Sequence, residues 1–213
     1  AMPEMLADAD VIFFAIKPQT FPEACEMYAE YFTSDKVYLT IMAGVSCASV
    51  ETATGGARVV RFMPNLALSV GKSATGFCLG RNSGEEEAAL ARALFGPLGE
   101  ARELPEDMLS SVTALSGSGP AYFYYLCEAL TAAAVGDGMD EETAQSLAVQ
   151  TLIGTAALIE ESGESPTEMR RRITSKKGTT EAGICALEAA GFFDCVREGY
   201  LAARHRSDEL GKK

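Results

Sequence analysis

The segment Thr-Ser-Lys-Lys-Gly-Thr-Thr at 174–180 places four hydroxyls, two lysines and a glycine between two stretches of helical periodicity. That composition suits an anion. A helix start leaves backbone N–H groups without partners and carries the positive end of the helix dipole, and short hydroxyls there add further donors. A carboxylate or phosphate is the ligand such a turn would hold. An ordinary capped helix start accounts for the same residues, because Ser and Thr are common N-caps. The turn alone does not separate the two readings.

Other chemistries find little support. The single histidine, His205, sits between Arg204 and Arg206, so any Ser-His-Asp or Cys-His arrangement would rest on it. The six cysteines (Cys25, Cys47, Cys78, Cys127, Cys185, Cys195) lie in apolar stretches without CxxC spacing, where free Cys behaves as a small hydrophobe. The expectation is a reducing cytoplasm, no disulfide framework and no metal site. Thirty acidic residues against eighteen basic ones give a formal net charge of −12. With no long basic stripe, nucleic acid and anionic membrane surfaces are not expected partners. The longest apolar runs, such as VIFFAI, are about six residues against the ~20 that span a bilayer. The first ten residues carry Glu4, Asp8 and Asp10 but no basic residue, so no signal peptide is expected.

The elements that must position the turn fall into two halves. VIFFAI (11–16), KVYLTIMAG (36–44), ARVVRFMPN (57–65), SATGFCLG (73–80) and the segment from Gly99 to Pro105 read as strands. Helix-like stretches separate them at about 21–31, 46–54 and 85–95. Alternation of this kind predicts an α/β half with a largely parallel sheet. After Pro105 only helices follow: from Pro120 to about 135, from an Asp140 cap to Ser162, then 164–172, 179–190 and from Phe192 onward. The second of these carries Ala144, Leu147, Ala148, Leu152, Leu158 and Ile159 on one 3.6-period face. The expected fold is therefore α/β plus all-α, with residues 1–104 as the sheet domain and 105–213 as the helical one. These helices are too apolar and too interrupted by small residues to close a core alone, so an obligate dimer is expected.

Two further features bear on binding. AIKPQ (15–19), MAG (42–44) and MPN (63–65) end three successive strands, and ligands of open α/β sheets bind at carboxyl ends of strands. Each is equally a routine strand-terminating loop. Gly117-Ser118-Gly119-Pro120 lets another segment come close and then launches an aromatic-rich helix; a tight interdomain corner explains it as well. No GxGxxG fingerprint occurs, so the chain is either no dinucleotide binder or lacks the first βαβ unit of one.

Taken together, ALSGSGPAYFYYLCEAL, LAVQTLIGTAALIEESGESP and ITSKKGTTEAGICALEAAGF resemble the C-terminal half of pyrroline-5-carboxylate reductases. ADVIFFAIKPQ, TIMAGVS and RFMPN are similar to the later strands of their nucleotide-binding domain, and the resemblance runs in order along essentially the whole chain. It implies a truncated Rossmann-type sheet, lacking roughly its first 50–60 residues, followed by a helical domain that interlocks with its twin. It also implies NADPH- or NADH-dependent reduction of 1-pyrroline-5-carboxylate to L-proline in a cytoplasmic homodimer or higher homo-oligomer, with no nucleic acid or membrane partner. Carried over by position, Ser175, Gly178, Thr179 and Thr180 hold the substrate, Thr180 faces its ring nitrogen as the catalytic contact, and Glu106 is a nearby acid. Ala15, Ile16, Lys17, Pro18, Ala43, Gly44 and Asn65 line the nicotinamide cofactor. Lys176 and Lys177 stand where the family places Pro and Gly, which removes a conformationally permissive glycine from the turn. The rivals are a related imine or β-hydroxy acid reductase and a non-catalytic helical dimerisation module.

Overall fold

The computed structural model describes residues 2–211. Helix α1 (Met2–Asp8) leads into β1 (Val11–Phe14), followed by α2 (Phe21–Tyr28), β2 (Val37–Thr40), α3 (Cys47–Ala53) and β3 (Arg58–Met63). Then come β4 (Ser73–Leu79), α4 (Glu85–Phe95) and β5 (Gly99–Glu103). The rest is helical: a short α5 (Leu109–Val112), a π turn (Thr113–Gly117), α6 (Gly119–Gly136), α7 (Glu141–Ser162), α8 (Pro166–Ile173), α9 (Thr179–Ala189) and α10 (Phe192–Leu210).

The five strands form one sheet in the order β1-β2-β3-β4-β5. β1, β2 and β3 run parallel, β4 is antiparallel to β3, and β5 is parallel to β4. The one antiparallel pairing has a simple cause. The link from Met63 to Ser73 holds only a 3-10 turn (Leu66–Val70), too short for the crossover that a parallel neighbour needs. The link from β4 to β5 contains α4 and crosses over.

Alternation along β2 and β3 sends successive side chains to opposite faces. One face packs Ile12, Phe14, Tyr38, Val59 and Cys78 against Leu6, Phe21, Phe32, Val50 and Leu109. The other packs Val37, Leu39, Val60, Phe62 and Phe77 against Ala88, Ala91 and Phe95, with the Phe62 and Phe95 rings stacked at 4.2 Å. α5 fits on the sheet because Gly76 has no Cβ; one built there would lie 2.8 Å from a Val112 methyl. The Lys36 ammonium donates to the Ala7 and Ala9 carbonyls, closing the end of α1.

Contacts group residues up to Pro120 with those from Tyr200 onward, and Ala121–Gly199 as a second unit. The 104/105 boundary expected from sequence divides the chain by element type instead. The spatial grouping differs because α5 lies in the sheet's core and the end of α10 returns to it, with Ser207 hydrogen-bonded to Ser110. In the second unit Asp140 accepts from the Thr143 N–H to start α7, and Gly163 ends it at φ +66°. Among its described residues Ala144 is the one buried apolar side chain. Leu147 and Leu158, on the expected core face of α7, are each 55% exposed, and so are most of the aromatics of α6, up to 73% at Tyr125. Such a unit has almost no core within a single chain.

Candidate active site

Because β1, β2 and β3 are adjacent and parallel, the segments that follow them emerge side by side at one edge of the sheet. The positions expected along the cofactor lie there: Ala15, Ile16, Lys17 and Pro18 after β1, Ala43 and Gly44 after β2, and Asn65 after β3. Ala15, Ile16, Lys17 and Ala43 are exposed, which leaves a lip free to meet a ligand. Gly44 has φ +77°, and a Cβ there would stand 3.0 Å from the Leu210 carbonyl oxygen, so packing against the end of α10 demands glycine at this position. Asn65 is turned inward. Its Nδ2 donates to the Ser116 carbonyl, its Oδ1 accepts from the Ala67 N–H, and its own N–H donates to Ser73 Oγ. It ties β3 to the segment before α6, and Gly117 in that segment leaves room for the Met63 side chain. What the small residues of LSGSGP admit on this side is thus a side chain. Ligands of open α/β sheets bind at such strand ends.

Glu106 stands in the sheet unit, in the 3-10 turn before α5. Its Oε1 accepts from the Cys47 N–H, the first of α3, at 2.8 Å and from Arg61 Nη1 at 2.9 Å. The pair is partly sheltered, with the Arg61 side chain 15% exposed and that of Glu106 34%. Arg61 Nε is buried without an acceptor among the described residues. The sequence did offer a signal for Arg61: a charge in the middle of the apolar run RVVRFM. Beside this pair Cys47 Sγ and Cys78 Sγ lie 3.6 Å apart, both buried. The hydrogen bond with Cys78, then burial, push the Cys47 thiol far above its ordinary range.

The 174–180 turn lies in the helical unit. Gly178 is the N-cap of α9, its N–H donates to the Ser175 carbonyl, and Glu181 accepts from the Lys177 N–H at 2.7 Å. Lys177 has φ +61°, the left-handed conformation at the position where the resembled family carries glycine. Lys176 and Lys177 are exposed. A Cβ on Gly178 would meet Ser175 Oγ at 2.3 Å, so the serine hydroxyl occupies the space the missing side chain leaves. The N–H groups of Thr179, Thr180 and Glu181 have no intrahelical acceptor. Among the described residues no hydrogen bond engages the hydroxyls of Ser175, Thr179 or Thr180, and Thr180 is half-buried. Free donors, free hydroxyls and the dipole's positive end are the features that an anion site requires. The structure thus groups the expected cofactor positions with Glu106 in one unit and the substrate turn in the other.

The sequence profile described as pyrroline-5-carboxylate reductase dimerisation matches residues 106–210. A pyrroline-5-carboxylate reductase of Methanosarcina acetivorans is 39% identical over 98% of this chain and 78% of its own length. This chain belongs to the pyrroline-5-carboxylate reductase family. Among solved structures, the pyrroline-5-carboxylate reductase of Coxiella burnetii superposes with a TM-score of 0.93 at 32% identity, covering 100% of this chain and 80% of that one. The Plasmodium falciparum pyrroline carboxylate reductase, solved with NADP bound, gives 0.85 at 27% identity, covering 98% and 80%. The match to the dimerisation profile makes the helical region a homo-oligomerisation domain, which accounts for the apolar surface of α6 and α7.

Proposed function

We infer that the protein is a pyrroline-5-carboxylate reductase, reducing the C=N bond of 1-pyrroline-5-carboxylate to L-proline with NAD(P)H. The family identity over nearly the whole chain carries this reading. When bound, NAD(P)H supplies the hydride. The chain's residues bind and orient. Ser175, Gly178 and Thr179 hold the substrate carboxylate on the N–H groups of the α9 start, and the Thr180 hydroxyl meets the ring nitrogen. A protonated imine is already electrophilic, so positioning is the main demand on the protein, and no histidine is called for. Glu106, held by Arg61 and the Cys47 N–H, is the acid assigned near substrate. Ala15, Ile16, Lys17, Pro18, Ala43, Gly44 and Asn65 are assigned to the cofactor lip, Asn65 as the group that shapes it.

The assembly is a homodimer formed through the helical half. Residues 1–104 serve as the cofactor-binding module and 105–213 as the module for substrate and dimerisation. No helix among the described residues is long and apolar enough to cross a membrane. Six unpaired cysteines suit the reducing cytoplasm, where we place the protein.

The test is to incubate the purified protein with NADPH and 1-pyrroline-5-carboxylate and to follow both loss of the reduced nicotinamide and appearance of L-proline. The two are expected to match mole for mole. Turnover of a β-hydroxy or 2-oxo acid with none of the imine would overturn the reading.

A further inference from the structure

Cys47, Cys78 and Glu106 offer two sulfurs and a carboxylate oxygen that all lie within 4.8 Å of one another. They come from three separate places in the sheet unit: the first residue of α3, the penultimate residue of β4 and the turn before α5. Neither thiol is used by the reaction described above. We propose that these three residues form a binding site for one thiophilic divalent cation of the zinc class.

Four observations support the site. A tetrahedral cation with metal–sulfur bonds of about 2.3 Å holds two sulfurs about 3.8 Å apart, and Cys47 Sγ and Cys78 Sγ stand at 3.6 Å. The carboxylate is already oriented, since Oε1 takes donors from the Cys47 N–H and Arg61, as outer-shell donors hold ligating carboxylates elsewhere. The charges close: two thiolates and a carboxylate bring −3, the cation +2 and Arg61 +1. Entry is possible along Glu106, whose side chain is 34% exposed, and water can fill the fourth position. On binding, each thiol proton leaves to solvent and each sulfur lone pair is donated to the cation; no electron changes hands. Because two of the three ligands are buried sulfurs, the site suits a cation with strong affinity for sulfur. Magnesium and calcium, which prefer oxygen ligands, are excluded on that ground. Sequence spacing hides the site, since its ligands are scattered over sixty residues.

Occupancy would pin the start of α3, and with it the Ala43-Gly44 segment, to β4. It would also engage the carboxylate that the functional reading places beside substrate, so a bound cation opposes turnover. The experiment reports binding independently of turnover, so the two readings fail separately.

The whole protein, reduced with a phosphine and freed of metal by a chelator that is then removed, is titrated with Co²⁺. A sulfur-to-cobalt charge-transfer band is expected to saturate at one ion per chain, to vanish when Zn²⁺ is added, and to be unaffected by Mg²⁺. Cys47→Ser and Cys78→Ser should each abolish it, while the double replacement Cys185→Ser with Cys195→Ser, both exposed, should leave it intact. Glu106→Gln, which removes the charge of a ligand, should weaken binding, read as a higher Co²⁺ concentration at half-saturation. Cys78→Val, which keeps the core apolar and filled, replaces the serine variant if that one loses its native circular dichroism. Absence of the band in the parent protein overturns the proposal, as does its survival in a folded Cys47 or Cys78 variant.

Discussion

At the scale of single residues, the 174–180 turn is where substitution and structure speak most directly to each other. Lys177 holds a left-handed backbone that costs a non-glycine residue about 1–2 kcal/mol. Lys177→Gly should therefore raise stability by roughly 0.5–1 kcal/mol, after allowing for glycine's greater freedom when unfolded, read as a higher denaturant midpoint. The family resemblance singles out this position, since glycine is usual there; that lysine keeps the left-handed backbone is not legible in the residues. Gly178 carries a different burden. Gly178→Ala forces the Ser175 hydroxyl out of the place it now fills. The expected result is a raised KM for substrate with little change in kcat, and no further effect when Ser175 is already alanine. Equal KM values for Gly178→Ala in both backgrounds and the parent would remove Ser175 from the carboxylate site. Thr180→Ala should lower turnover about five- to tenfold, the worth of one hydrogen bond near 1 kcal/mol, while leaving cofactor affinity unchanged. Steady-state kinetics with independent cofactor titration decides it, and a collapse of cofactor binding would contradict the assigned role.

At the scale of elements, periodicity and punctuation are informative because the sheet unit obeys local rules. Pro64 stops β3, Gly44 ends the segment after β2, and Ser162-Gly163 closes α7 as the residues indicate. The orientation of β4 is not legible, since nothing in SATGFCLG states which way it runs; the short link before it decides. The helical stretch 109–117 escapes sequence reasoning for a related reason. LSSVTALSG has few caps and many small polar residues, and it winds as α and π turns only because it lies on the sheet at Gly76. Glu106 stands out by resemblance alone; its partners Arg61 and Cys47 are 45 and 59 residues away in sequence, beyond any local pattern. Helix α7 gives a test with a pH sign. The hydroxyl and N–H of Thr143 hold the Asp140 carboxyl below its ordinary range. Its contribution is therefore present above the unfolded-state value and is lost as pH falls through the lower folded-state one. Asp140→Ala should lower the melting temperature at neutral pH, and the gap to the parent protein should narrow as the solution is acidified. A gap independent of pH would mean that the cap does not depend on the charge.

For the whole molecule, assembly dominates. The exposed side chains Phe123, Tyr124, Tyr125, Leu147 and Ile153 lie in a unit that buries one apolar residue within the chain, so the monomer has no means of covering them. Sedimentation at micromolar concentration should find a dimer or larger, with no folded monomer on dilution until the helical signal itself is lost. A stable folded monomer would contradict this. The apolar character of α6 and α7 announces the need for a partner, but which side chains face it is set by how the helices lie in three dimensions. The return of α10 to the sheet has a consequence for synthesis. Residues 121–199 leave the ribosome before Tyr200–Leu210, yet it is this later segment that seats its backbone on Gly44. The unit translated first is thus finished last. While the nascent chain waits, the aromatic helix α6 is already outside the exit tunnel with no second copy to cover it. That interval, rather than any weakness of the folded enzyme, is when the protein is most in need of a chaperone.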